Sequence, residues 1–321
     1  MPPLRTSPAL VVELAEHAAS AAVDSCWQQW RSLMGGTLRL AAATANAVVD
    51  PEGLVLLSLS VRDRERRLDD CLSWWASTGY ALTSLQRMRT LAADFPERVR
   101  DDLASFAVTV AANGDARWKV LAGRGRAGIS GRAGKGPERL ELRGVCCSML
   151  RLRAGLGVGA KADLLAYLVS APSTRTAGPR ATVAELAELV GYSVPSLRRA
   201  ANDMVLGGLL EVEDERPLRY AADIEGWLRL LSGASAKGVV REGRGAARPK
   251  WRFAAQVGAF LAEVVACGED ARLRAAGAVV QESRLRDVVE RRNRLLRWIG
   301  FRGEEPEAAV RAVAEFARER G

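Results

Sequence analysis

The stretch TVAELAELVGYSVPSLRRAANDMVLGGLLEVEDERPLRY, Thr182 to Tyr220, decides the fold. Thr182 is placed to cap a helix and Glu185, three residues on, completes a capping box, so a helix starts at Val183. Leu186, Ala187 and Val190 give that helix one apolar face, and Gly191 supplies the left-handed residue that ends it. Ser193 is a second N-cap, and Pro195 is tolerated in the first turn of a helix running to about Leu206. Leu197, Ala200, Ala201, Met204 and Val205 are available to pack it. Two short helices joined by a tight glycine-containing turn make a helix-turn-helix. Ala187, Gly191 and Leu197, four then six residues apart, permit close crossing, the turn and a plug between the helices. Gly207-Gly208 followed by LLEVEDERPLRY predicts strand, a turn at Glu215 to Pro217, and strand: a wing.

This order resembles winged helix-turn-helix regulators of the MarR/ArsR kind over about residues 145–231. KADLLAYLVSA stands as the preceding helix, TVAELAELVG as the support helix, SVPSLRRAANDMVLGG as the recognition helix and LLEVEDERPLRY as the wing. The resemblance implies double-stranded DNA as partner, with the start of the recognition helix at base edges in the major groove. The outward residues are Pro195, Ser196, Arg198, Arg199, Asn202 and Asp203. Arg198 or Arg199 would face guanine, Asn202 adenine and Ser196 a phosphate. Ser193, Arg216 and Arg219 complete the module's contact set. The competing reading makes the two arginines a solvated helix face, and Thr182 and Ser193 caps alone.

Charge complicates the assignment. The chain carries a formal net charge of +9, which points to a polyanion such as nucleic acid. Between Lys161 and Glu225, however, seven basic residues face ten acids, and Glu211, Glu213, Asp214 and Glu215 make the wing acidic. Such a module binds phosphates weakly alone, because affinity follows the number of phosphates neutralised. The positive charge lies in the flanks. Lys119 to Arg153 holds nine basic residues against two acids, among them Arg124, Arg126, Arg132 and Lys135. Arg229 to Arg252 holds seven against one. These arms are expected to provide electrostatic grip while the recognition helix provides register. Arg124-Gly125-Arg126 resembles the minor-groove core of an AT-hook, but Ala127 stands where proline is expected, which favours a linker.

The remaining chemistry is sparse. Gly123-x-Gly125-x-x-Gly128 matches a dinucleotide fingerprint as text, with no parallel-sheet unit around it. Gly134-Lys135 lacks the upstream glycine and following Ser/Thr of a phosphate-binding loop. One histidine, His17, and five scattered cysteines provide neither a multi-His metal site nor a His-based triad, so no cofactor and no catalysis are expected. Cys146-Cys147 reads as core, with oxidant sensing as the alternative. No stretch offers eighteen uncharged apolar residues, so neither a membrane span nor a membrane partner is expected and the protein is placed in the cytoplasm, at the nucleoid.

The predicted fold class is mainly α: a helical N-terminal domain, a central winged helix-turn-helix with a small β-hairpin wing, and a helical C-terminal segment. Residues 1–120 form the first domain, read either as a degenerate helix-turn-helix or as a plain helical interaction domain, with Trp27, Trp30, Trp74 and Trp75 anchoring its core or a partner surface. A basic Gly-rich linker spans 121–139, the winged domain 140–231, a second basic linker 232–250, and a helical region 251–321. In that last region Leu285, Val288, Val289, Leu295 and Leu296 share one face, as a core or dimer helix. The functional expectation is a sequence-specific DNA-binding transcriptional regulator, a repressor, acting as a homodimer on a palindromic operator. The alternative is an antitoxin-like or other interaction component, possible autoregulation included, whose winged domain or N-terminal helices grip a partner protein. The tryptophan-bearing N-terminal region resembles helical regions of antitoxin-like proteins paired with nucleotidyltransferase toxins. Structured-RNA binding by the Arg/Gly-rich segments is a third reading.

Overall fold

The computed structural model describes residues 9–34, 46–123, 127–129, 136–140, 142, 144–172, 179–213, 216–233 and 248–319. The chain is mainly helical with one small three-stranded antiparallel sheet. The first helices are α1 (Ala9–Met34), α2 (Pro51–Val61), α3 (Arg67–Thr78), α4 (Leu85–Ala92) and α5 (Glu97–Ala112). Next come α6 (Ser148–Leu156), α7 (Ala160–Ser170), β1 (Ala181–Thr182), α8 (Val183–Val190), α9 (Val194–Leu206), β2 (Glu211–Glu213), β3 (Arg219–Ala221) and α10 (Ile224–Gly233). The chain closes with α11 (Ala254–Glu269), α12 (Ala271–Ala275), α13 (Ala278–Arg291), α14 (Asn293–Trp298) and α15 (Pro306–Arg318).

Helix α2 is apolar nearly all round, so it must be buried on all sides. Helices α1, α4, α5 and α11 pack around it. Trp30, Trp74 and Trp75 meet edge to face or tilted, with ring centroids 6.0–6.3 Å apart. Each buried indole N–H finds an acceptor: Ser58 Oγ, Pro137 O and Thr83 Oγ1 respectively. These tryptophans belong to the core and are not a partner surface; Trp27 is half-buried under the Arg67 guanidinium, 5.1 Å from its ring centroid.

The segment beyond Trp251 does not stand apart. Helix α11 lies along α1 and α2, and α15 covers α1, α11 and α13. The physical reason is α11's own sequence: AAQVGAFLAEVVACGE is too apolar on every side to stand in water. Leu285, Val288, Val289, Leu295 and Leu296 are all buried within this same body, the core alternative of the two expected.

Parts of the two basic linkers are likewise packed. Ile129 is buried and its N–H donates to Thr109 Oγ1 at 2.9 Å. Gly136 lies so close to Trp74 that a Cβ there would sit 2.2 Å from the indole. Arg248 donates to the carbonyls of Val169 and Ala171, and Lys250 bridges in parallel to Ala47. Gly136 of the first linker therefore permits close approach of the backbone to the Trp74 ring.

The central elements run α7, β1, α8, α9, β2, β3, with sheet order β1-β3-β2. Val212 pairs with Tyr220 across the hairpin, and Ala181 with Tyr220 on the other side. This is a helix-turn-helix with a small wing. Strand β1 is absent from the sequence reading because two residues carry no periodicity; Thr182 ends the strand and caps α8 at once.

Candidate nucleic-acid interface

The local signals of the stretch are realised at their atoms. Thr182 Oγ1 accepts from Glu185 N while Glu185 Oε2 accepts from Thr182 N, the reciprocal capping box. Gly191 sits at φ +79° and ends α8. Helix α9 begins at Val194 with Pro195 in its first turn and ends at Leu206. Ser193 occupies the N-cap position, but its hydroxyl donates to Ser196 Oγ at 2.9 Å and makes no bond to the backbone.

A helix C-terminus leaves four carbonyls without an intrahelical donor. In α8 all four are satisfied. Ala187 O accepts from Gly191 N and Tyr192 N. Glu188 O and Leu189 O accept from Gln256 Nε2 of α11, and Val190 O from Arg87 Nε of α4 at 2.5 Å. The turn of the helix-turn-helix is thus docked on the helical body by two side chains distant in sequence.

Beneath that turn lies a buried ionic joint that composition and spacing did not reveal. Arg87 forks onto Asp50, with Nη1 to Oδ1 at 2.5 Å and Nη2 to Oδ2 at 2.7 Å, and reaches Glu52 Oε2 at 2.6 Å. Arg153 spends all five of its N–H groups. Nε and Nη2 fork onto Asp163 at 2.6 and 2.7 Å, Nη1 and Nη2 onto Glu52 at 2.7 and 2.9 Å, and Nη1 also meets Leu82 O. Tyr192, in the helix-turn-helix turn, donates to Asp163 Oδ2 at 2.8 Å. Both guanidiniums, Glu52 and Asp163 are fully shielded from solvent, and Asp50 nearly so.

Three carboxylates against two guanidiniums leave one negative charge, which Tyr192 and the backbone N–H groups of Gly53 and Ser84 help to stabilise. Burial disfavours an ionised Asp50, but the adjoining Arg87 guanidinium outweighs it and holds the carboxyl below its usual range. Burial equally opposes the charge on Arg87 and Arg153; the facing carboxylates overcome it and raise both. The signal that was present in sequence is a charge inside an apolar helical run: Arg87 in LQRMRTLA, Arg153 in SMLRLRAGL, Asp163 in AKADLLAYLVS.

The outer face of α9 is the opposite environment. Pro195, Arg198, Arg199, Asn202 and Asp203 are exposed, whereas Leu197, Ala200, Ala201 and Met204 are buried and Val205 half-buried. Arg198 and Arg199 form no ion pair with any described residue. Ser196 Oγ accepts from Ser193 and, at 3.3 Å, from Gln86 Nε2 of α4, which leaves its own O–H to donate. Asn202 Oδ1 accepts from Tyr220 Oη at 3.3 Å, tying α9 to the wing.

The acidic excess shrinks when pairing is resolved. Asp163 is consumed in the joint. Asp203 meets Lys161 at 2.8 Å, Glu185 meets Arg219 at 3.9 Å, and Glu213 and Glu188 are paired with Arg180 and Arg294. Arg219 is therefore partly engaged, while Arg216 is exposed. The basic flanks shrink as well. Arg153 is buried, Arg151 bonds Leu231 O, Arg248 bonds α7 carbonyls, and Arg252 lies 3.8 Å over the Phe316 ring. Arg124, Arg126, Arg132 and Lys135, like wing residues Asp214 and Glu215, lie outside the described residues.

All five cysteines are free thiols in buried positions; Cys146 and Cys147 Sγ stand 3.9 Å apart in the core. Among the described residues, no group of three or more His, Cys, Asp or Glu is placed to hold a metal ion, and no helix is long and apolar enough to cross a membrane. Comparison with known proteins finds no matching family model, no matching curated protein and no matching solved structure.

Proposed function

We propose that the protein is a sequence-specific DNA-binding transcriptional regulator, a repressor of the winged helix-turn-helix kind, in which α9 enters the major groove. The observation that carries the reading is the pair Arg198 and Arg199, exposed on the outward face of α9 without a carboxylate partner among the described residues. Asp203, Glu185, Glu188 and Glu213 are already paired, so the face presents donors for guanine edges and phosphates. Ser196 adds a hydroxyl donor, and Arg216 adds a wing cation. The unit acts as a homodimer on a palindromic site in the nucleoid of the cytoplasm, and needs no cofactor.

A mobility-shift assay on the DNA upstream of its own coding sequence tests this, with wild type beside Arg198→Ala/Arg199→Ala. Binding that survives a scrambled competitor and disappears in the double variant supports the regulator. Equal retention of both duplexes by both proteins overturns it.

A second reading is favoured by a separate observation. Leu206 is 90% exposed at the end of α9, and Leu209, Val212 and Leu218 are exposed around the wing. Such apolar side chains beside acidic Glu211 suit a protein partner with apolar and basic groups, as an antitoxin-like component requires. Leu206→Ser/Val212→Ser separates the two: lost co-purification of a partner with retained DNA binding supports the interaction role.

A further inference from the structure

Helix α4 is fastened to the turn that precedes α9 at three points. Arg87 holds Val190 O, Leu91 Cδ2 packs where a Cβ on Gly191 would come within 2.7 Å, and Gln86 reaches Ser196 in the first turn of α9. The outer side of α4 is therefore continuous with the start of α9. Gln86, Arg89 and Thr90 are exposed there and, with Leu85, line an open depression. Arg89 forms no ion pair with any described residue. The acids nearest in sequence or on the docked turn are taken: Asp94 by Arg292 at 3.3 Å, and Glu188 by Arg294.

We propose that α4 is a second DNA-contacting element, with Arg89 on a backbone phosphate beside the groove that α9 enters. The assignment rests on the reading of α9 given above. A recognition helix that inserts its first turn brings the preceding turn to the phosphate wall. Anything bolted to that turn arrives at the same wall. Helix α4 is so bolted, by the buried Arg87–Val190 hydrogen bond and the exposed Gln86–Ser196 one. The occupant is a DNA duplex because the element is continuous with α9 and presents the Arg89 cation, without an ion pair among the described residues, beside the Gln86 amide, chemistry that suits a phosphate backbone. It also addresses the electrostatics: between Lys161 and Glu225 seven basic residues face ten acids, and α4 supplies a further cation beside α9's first turn.

The test is fluorescence anisotropy over a series of KCl concentrations. The probes are a labelled duplex of the chain's own upstream DNA and a scrambled duplex of equal composition. Arg89→Ala is compared with wild type, with Arg198→Ala/Arg199→Ala, and with Arg302→Ala as a control for loss of one exposed charge; thermal melting confirms that each folds. Arg89→Ala is expected to weaken both duplexes alike and to make the slope of log K against log salt shallower by about 0.9, one phosphate contact. Preference for the upstream duplex should persist. An unchanged slope in Arg89→Ala, a slope change matched by Arg302→Ala, or tighter binding overturns the assignment. If Arg198→Ala/Arg199→Ala abolishes preference while Arg89→Ala leaves the slope intact, α4 alone is excluded and the α9 reading stands. If wild type binds neither duplex, both fall.

Discussion

Two pairs of arginines lie on either side of the same turn and have opposite fates. Arg87 and Arg153 are sealed from solvent, and their N–H donors are directed at Asp50, Glu52, Asp163 and the Val190 and Leu82 carbonyls. Arg198 and Arg199 stand in water with no ion-pair partner among the described residues. The side chain is the same, so environment alone assigns the role. A buried guanidinium that is fully bonded fixes an orientation; an exposed one without a partner keeps its charge available to an outside anion. The inner pair thereby serves the outer, since it sets how α9 is presented by the helical body.

The largest break in that contrast is Arg153→Ala. It strands Glu52 and Asp163 without their shared cation in a buried site, where loss of one partner costs about 3–5 kcal/mol. Urea unfolding measures it, and a loss below about 1 kcal/mol would show that the joint is solvated. Tyr192→Phe is gentler: it removes the hydroxyl that bonds the Asp163 carboxylate and touches Ser84 Oγ, the charged bond being worth about 1.5–3 kcal/mol, and should leave α9's exposed face intact.

Acid probes the same joint. Because the Asp50 carboxyl is held below its usual range, its contribution is present above about pH 3.9, the ordinary aspartate value, and is lost as pH falls through the folded value. Unfolding followed from pH 7 to pH 2 should show this loss only at the acid end, and Asp50→Asn should flatten that limb. Thr182→Ala removes the capping box and costs about 1 kcal/mol, read as a small shift in urea midpoint. Smallest in stability is Arg198→Ala/Arg199→Ala, within about 0.5 kcal/mol of wild type. A larger drop by urea unfolding would mean that the outer pair is structural too, and the contrast would close.

The helix-turn-helix was legible because its determinants are short-range. Thr182 and Glu185 are three residues apart, Gly191 lacks the Cβ that would oppose φ +79° at that turn, and α9 ends where Gly207-Gly208 begins. Ser193 shows the limit even at this range: its hydroxyl has two neighbours to choose from, and Ser196 wins over the backbone. The ionic joint was not legible. Glu52 and Arg153 are 101 residues apart, and in a charge tally both pass for solvated residues. The same blindness inflated the basic flanks, where Arg151, Arg153, Arg248 and Arg252 are occupied by carbonyls, carboxylates or a ring.

By itself, then, the sequence from Thr182 to Tyr220 determined a capped helix, a left-handed turn, a second helix and a hairpin, since backbone conformation at caps and turns answers to residues within a few positions. Which of its charges remain free was decided only by the tertiary structure. Charge is neutralised by whatever stands within about 4 Å, and in the joint that distance is set by packing between helices far apart in the chain.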